Sequence, residues 1–138
     1  MILKQVLDKK TYHGLKENVN LSNYSWFNLG GKADYFFKAE DKNQLINFLK
    51  EAKKNNLSVT IVGAGSNTLF RDNGVRGAVI KLGKSFSYTE LVNKDIINVG
   101  SATLDRKIAD FAKNNNLGNL EFLSCIPGSI GGGIIMNS

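Results

Sequence analysis

Histidine, cysteine, proline and tryptophan each occur once in the 138 residues, as His13, Cys125, Pro127 and Trp26. A single cysteine excludes an internal disulfide, which agrees with a reducing compartment. His13 has no second histidine or cysteine beside it to share a metal, so no zinc spacing exists and the residue reads as a surface or packing group. No apolar stretch approaches the ~20 residues that span a bilayer, and Met1-Ile2-Leu3-Lys4-Gln5 lacks the basic start and apolar centre of a secretory signal. The expectation is a cytoplasmic chain with no membrane segment and no bound metal.

Charge of one sign is in excess but not in runs. Lys and Arg number 18 against 12 Asp and Glu, a net charge of +6, so an anionic partner is favoured. Yet Lys9-Lys10, Lys53-Lys54 and Arg106-Lys107 are isolated pairs. No basic stretch interleaves with aromatics as a groove tracking a nucleic-acid strand requires, which argues against nucleic acid. Side-chain pairs for acid–base or nucleophilic catalysis are scarce as well. Two carboxylates stand out: Asp72, after a glycine-rich loop, reads as a turn residue, and Asp105, opening a helix, as a first-turn acid favoured by the helix dipole.

What is present is glycine in two clusters, embedded in alternating short strands and helices. Val59 to Val62 is β-branched, too short for a helix and bounded by glycine, so it predicts a buried strand. Ala33 to Lys38 predicts another, with Tyr35, Phe36 and Phe37 buried on both faces. Between them Asp41 predicts an N-cap with Gln44 completing a capping box, and Leu45, Phe48, Leu49 and Ala52 form one stripe of a helix ending near Asn55-Asn56. Strand, helix, strand in this order predicts a parallel βαβ pair.

Further strands are expected at Gly77 to Leu82 and in a hairpin of Ser85 to Val92 with Asp95 to Val99 around Asn93-Lys94. Thr103 predicts the N-cap of a helix presenting Leu104, Ile108, Phe111 and Ala112. Its end, AKNNNL, echoes AKKNNL at 52 to 57, which we read as shared C-terminal capping rather than a repeat. Leu3, Val6 and Leu7, then Leu15 and Val19, predict a short helical lead-in over residues 1–20. The chain stops on an apolar run just past Pro127-Gly128-Ser129-Ile130-Gly131-Gly132-Gly133, which reads as a second glycine-rich turn in a domain cut rather than finished.

The first cluster is Gly63-Ala64-Gly65-Ser66-Asn67, at the C-terminal end of the expected strand. Without Cβ atoms its backbone N–H groups can approach a ligand closely. Position 68 is Thr, so G-x-G-x-x-G does not fit, and no Walker lysine follows Gly65; both depart from the common dinucleotide and P-loop patterns. With Ser66, Asn67, Ser129 and Asn137, the two clusters can donate several hydrogen bonds to a diphosphate without a cation, the backbone forming an anion nest. A bound organic cofactor would then supply the chemistry that the side chains lack.

Three ordered motifs carry a resemblance. Ser25-Trp26-Phe27-Asn28-Leu29-Gly30-Gly31-Lys32-Ala33-Asp34 comes first. Gly63-Ala64-Gly65-Ser66-Asn67-Thr68-Leu69 follows, with Asp72, Gly74 and Gly77 after it. The third is Ile126-Pro127-Gly128-Ser129-Ile130-Gly131-Gly132 with Met136-Asn137. In this set, from about Leu21 to the last residue, the chain resembles the bacterial UDP-N-acetylenolpyruvoylglucosamine reductases. The resemblance implies an α+β fold, the FAD-binding domain of the vanillyl-alcohol-oxidase type built as two small α+β subdomains, incomplete here over residues 21–138 and lacking the substrate-binding domain. It implies UDP-N-acetylmuramate dehydrogenase chemistry in peptidoglycan synthesis: hydride passes from NADPH to FAD and then to the enolpyruvyl double bond of a UDP-sugar, and a serine protonates the carbanion.

By motif match, Gly63, Ala64, Gly65, Ser66 and Asn67 would hold the FAD diphosphate. Pro127, Gly128, Ser129, Gly131 and Gly132 would line the cofactor on the other side, and Asn137 stands at the family's asparagine. The family's tyrosine, arginine, proton-donating serine and late glutamate have no matching positions, so the resemblance assigns no catalytic residue and implies that this chain alone is inactive. Two alternatives stay open: another FAD-dependent oxidoreductase of the same superfamily, and a non-catalytic nucleotide-binding module.

Overall fold

The computed structural model describes residues 11–138. Its first unit is a four-stranded sheet of β1 (Leu15–Asn20), β2 (Lys32–Ala39), β3 (Val59–Val62) and β4 (Val75–Leu82), in the order β1-β2-β4-β3. Strand β1 is antiparallel to β2, while β2 and β3 both run parallel to β4. The βαβ crossover is therefore parallel as expected, but β4 lies between its two strands. Helix α1 (Lys42–Lys54) opens on Asp41, whose carboxylate accepts the Gln44 N–H at 2.8 Å. That bond satisfies one of the orphan donors of the first turn.

Adjacent residues of a strand point to opposite faces, and β2 uses this twice. Phe37 faces α1, stacking on Phe48 at 4.6 Å with Tyr12 edge-on to both rings. Phe36 faces the other way and meets Tyr24 at 4.2 Å, beside Leu21, Val62 and Val79. Both phenylalanines are buried, as a sheet covered on two sides requires. Tyr24 reaches this face because a single 3-10 turn, Leu21–Tyr24, folds back after β1.

The second unit holds the hairpin β5 (Thr89–Asn93) and β6 (Ile96–Val99), then α2 (Asp105–Asn114), a 3-10 turn over Glu121–Cys125, and α3 (Ile130–Met136). Its core is Ile108, Ala109 and Leu123, with Val99, Leu120, Ile126 and Ile130 packed on it. Helices α1 and α2 end alike. Asn56 and Asn116 take left-handed φ of 52° and 56°, and the N–H groups of Leu57 and Leu117 reach back to Ala52 and Ala112 at 2.8 and 2.9 Å. This is the Schellman termination, so the AKxNNL echo is one capping solution used twice.

Four expectations are corrected. Leu15–Asn20 is a strand, not part of a helix, because pairing with β2 buries Leu15; residues 1–10 of the expected lead-in lie outside the described residues. The hairpin turn is Lys94-Asp95, with Ser85 and Phe86 in a separate 3-10 turn over Lys84–Phe86. Thr103 does not cap α2: its hydroxyl donates to the Tyr88 carbonyl at 3.0 Å, and Leu104 takes the cap position with no side-chain bond. Gly131 to Gly133 are the first turns of α3, not a loop.

Candidate functional site

The two glycine clusters meet. Strand β3 delivers Gly63 at its carboxyl end, and the following residues turn back beneath the Tyr24–Phe27 segment. Three bonds fix that turn: Trp26 N–H to the Gly65 carbonyl at 3.0 Å, the Ser25 hydroxyl to the Thr68 carbonyl at 2.5 Å, and Gly31 N–H to the Arg71 carbonyl at 3.0 Å. Gly65 has φ +79°, and a Cβ there would strike the Tyr24 carbonyl. Glycine is required at this point for the turn itself.

The second cluster is held by the segment before α2. Gly128 and Thr103 carbonyls accept the N–H groups of Asp105 and Ile130 at 3.2 and 3.0 Å, making an antiparallel bridge between Leu104 and Ser129. Gly131 N–H then donates to the Ser101 carbonyl at 3.0 Å, and a Cβ on Gly131 would sit 2.7 Å from that same oxygen. Gly131 is therefore a packing glycine. These tertiary bonds occupy the first N–H groups of α3, which lets a glycine-rich segment be helical despite a cost of about 1 kcal/mol per glycine.

Across the junction the Ser66 hydroxyl donates to the Pro127 carbonyl. A Cβ on Gly63 would lie 2.9 Å from Ser129 Oγ, one on Gly132 3.5 Å from it, and one on Gly128 2.9 Å from Asp105 Oδ2 and 4.0 Å from Ser66 Oγ. Gly63, Gly128 and Gly132 thus face a shared space bordered by Ser66, Ser129 and Asp105. Among the described residues, the N–H groups of Ala64, Gly65, Ser66, Asn67, Gly128 and Ser129 donate no hydrogen bond. Free amides clustered beside glycines are the arrangement from which backbone anion nests are built, and the cluster lies beyond the carboxyl ends of parallel β3 and β4, the end at which open α/β sheets bind ligands.

Asn137 is not drawn into this junction. It is the exposed left-handed cap at the far end of α3, with φ 54°, about 10 Å along the axis from Ile130. Three residues that sequence reasoning did not assign to the site belong to its walls. Ser25 holds the first loop, and its motif was the available signal. Lys81, one of the scattered basic residues, donates from Nζ to the Gly63 carbonyl; burial first, and the Lys38 charge second, hold its ammonium below the ordinary lysine value. Asp105 lies against Gly128 from below, and burial pushes its carboxyl above the usual range. Asp72 is an exposed turn residue.

Comparison with known proteins adds an independent finding. A family model described as "FAD binding domain" matches residues 33–138. The UDP-N-acetylenolpyruvoylglucosamine reductase of Pelagibacter ubique (strain HTCC1062) is 48% identical over 119 residues, 86% of this chain and 39% of its own length. The reductase of the same name from Orientia tsutsugamushi (strain Ikeda) is 46% identical over 126 residues, covering 89% of this chain and 41% of its own. The crystal structure of UDP-N-acetylenolpyruvylglucosamine reductase from Thermus caldophilus superposes with a TM-score of 0.69 at 29% identity, over 87% of this chain and 41% of that one. The chain spans about two fifths of the length of these relatives. The resemblance read from the three motifs and the α+β fold it implied are both borne out.

Proposed function

From a chain that belongs to the FAD-binding-domain family over residues 33–138, we propose the FAD-binding part of a UDP-N-acetylenolpyruvoylglucosamine reductase, with the cofactor's diphosphate held where the two glycine clusters meet. Gly63, Ala64, Gly65, Ser66 and Asn67 form one wall of that site, and Pro127, Gly128, Ser129, Gly131 and Gly132 the other. Asn137 belongs to the same motif but stands outside this junction, at the far end of α3.

The observation that carries the reading is the direct contact of the clusters through Ser66 and Pro127, around amides that have no other partner among the described residues. A diphosphate accepts hydrogen bonds and donates none, so it complements those amides. The Lys81 ammonium at Gly63 adds a favourable charge next to them. Gly63, Gly128 and Gly132 leave room for close approach, whereas Gly65 and Gly131 are glycine so that the loops can pack. Trp26, Phe27 and Leu29 are exposed on the Gly65 side of the junction and offer apolar surface to the rest of a dinucleotide.

The chemistry supplied at such a site is hydride transfer, from NADPH through the flavin to the enolpyruvyl double bond of a UDP-sugar in peptidoglycan synthesis. This chain's residues bind and orient. None of them is assigned the protonation of the carbanion, and general acid catalysis contributes roughly 100- to 10,000-fold. We therefore expect no reductase turnover from these residues alone, and assign NADPH and UDP-sugar binding to the remainder of the reductase. Among the described residues no helix is long and apolar enough to cross a membrane, and the reading places the reaction in the cytoplasm beside its nucleotide-linked reactants.

The test is a visible absorption spectrum of the purified chain after FAD is added and the free excess removed, with circular dichroism to establish folding. A retained flavin band shifted from that of free FAD supports the site. A folded, colourless protein refutes cofactor retention by these two clusters.

A further inference from the structure

Asp105 is 2% exposed, and neither carboxyl oxygen has a hydrogen-bond partner among the described residues. Buried polar groups in native proteins are nearly always paired, and an orphan needs a specific explanation. The side chain is aimed at the candidate site: its Oδ2 lies 2.9 Å from where Gly128 would carry a Cβ, the same point from which Ser66 Oγ is 4.0 Å away. The bridge between Leu104 and Ser129 holds the Gly128-Ser129 segment, whose amides donate no hydrogen bond among the described residues, alongside the start of the Asp105 helix.

We propose that Asp105 is a positioning residue of the diphosphate site that works as the neutral acid, so that FAD binding is coupled to the uptake of one proton. The proposal rests on the FAD reading and deepens it. An ionised carboxylate here would place a full negative charge behind the very amides that receive the anion. In a partly buried site, like charges a few ångströms apart repel strongly, and buried carboxylates relieve such conflict by taking a proton. The neutral acid leaves the amides to the ligand while its bulk supports the Gly128 turn.

Among the described residues the one cation at the site is Lys81, whose ammonium is engaged by the Gly63 carbonyl and makes no hydrogen bond to the Asp105 carboxyl. The segments 63–67, 101–104 and 127–129 contain no titratable side chain. On its own helix Arg106, Lys107, Asp110 and Lys113 are exposed, and on the facing 3-10 turn so are Glu121 and Cys125. Desolvation already moves the carboxyl in the required direction, and a bound anion moves it further.

The test is calorimetric titration of FAD into the 138-residue chain in two non-phosphate buffers of different ionisation heat, from the ordinary carboxylate value of about 3.9 up to about pH 8. The diphosphate diester itself does not titrate in this range. Expected is an uptake approaching one proton per FAD, with Kd weakening toward tenfold per pH unit between the free and bound pKa values. In Asp105→Asn the uptake disappears and Kd becomes flat with pH. FAD binding without proton uptake in the wild-type chain, or undiminished uptake in Asp105→Asn, overturns the inference while leaving the site standing. Absence of FAD binding by both chains at every pH overturns the site and the inference together.

Discussion

Replacing Gly65 with alanine tests whether the first glycine loop is built by its contact with the Tyr24 turn. The residue has φ +79°, and an L-residue in the left-handed region costs roughly 1–2 kcal/mol. Its new Cβ also overlaps the Tyr24 carbonyl, which cannot simply swing aside, because Tyr24 packs on Phe36 at 4.2 Å. Relief must come from separating the two turns, which lengthens or breaks the Trp26 N–H to Gly65 carbonyl bond, worth about 1 kcal/mol net. Together these effects amount to about 3 kcal/mol, out of the 5–15 kcal/mol typical of a domain.

For a chain of this size that is a fall in Tm of about 10 °C, read by far-ultraviolet circular dichroism. Gly128→Ala is the control. Its Cβ meets the end of the Asp105 side chain at 2.9 Å rather than backbone, so a small rotation accommodates it and the loss should stay near 1 kcal/mol or below. A Gly65→Ala chain that melts within about 1 °C of wild type refutes the argument, since by the same conversion that shift is far below 3 kcal/mol. So does a Gly128→Ala chain less stable than Gly65→Ala.

Three other outcomes follow from the same geometry. Phe48→Ala empties the fully buried centre of the Tyr12, Phe37 and Phe48 cluster and should cost about 3–5 kcal/mol in urea unfolding; a loss under about 1 kcal/mol would mean that the site collapses freely. Ser66→Ala removes the hydroxyl bridge to Pro127, so stability should fall by about 1 kcal/mol and FAD retention should weaken, whereas unchanged retention argues against the junction as the diphosphate site. Asp105 has a folded pKa above its unfolded value of about 3.9,, so the native state binds the extra proton. Its contribution favours folding below about pH 4 and declines as pH rises through the window above that value. The urea midpoint of Asp105→Asn should therefore gain on wild type from pH 4 toward neutrality, and a constant difference would contradict burial as the cause.

Local chemistry made much of the first unit legible from sequence. The Asp41 cap, the α1 stripe, the strand around Tyr35 to Phe37 and the paired Asn terminations follow local patterns; Val59 to Val62 is a strand as expected but not a buried one, since it lies at the sheet edge with Ile61 67% exposed. The positions of the two glycine clusters were legible for the same reason, since glycines grouped with small polar residues show within a short window of sequence. Which glycines serve packing and which face the shared space was not, because that depends on the left-handed φ of Gly65 and on what lies opposite each glycine, neither of which a short stretch of sequence carries. Ser25, Lys81 and Asp105 were missed as site residues on the same account: a serine in a turn, a lysine in a strand and a first-turn acid look ordinary until their neighbours are known.

By itself, then, the sequence determined the α+β class, most element boundaries, the family and the two clusters as the place to look. Tertiary structure alone decided that β4 inserts between β2 and β3, because strand order depends on pairing partners remote in the chain. It decided that Leu15–Asn20 is a strand and that Gly131 to Gly133 are helical, since β2 and the carbonyls of Ser101 and Thr103 supply bonds that outweigh local preference. It also took Thr103 from the cap of α2 to the Tyr88 carbonyl. In each case a hydrogen bond or buried contact spanning many residues overrode propensities of a kcal/mol or less, which no short window of sequence can anticipate.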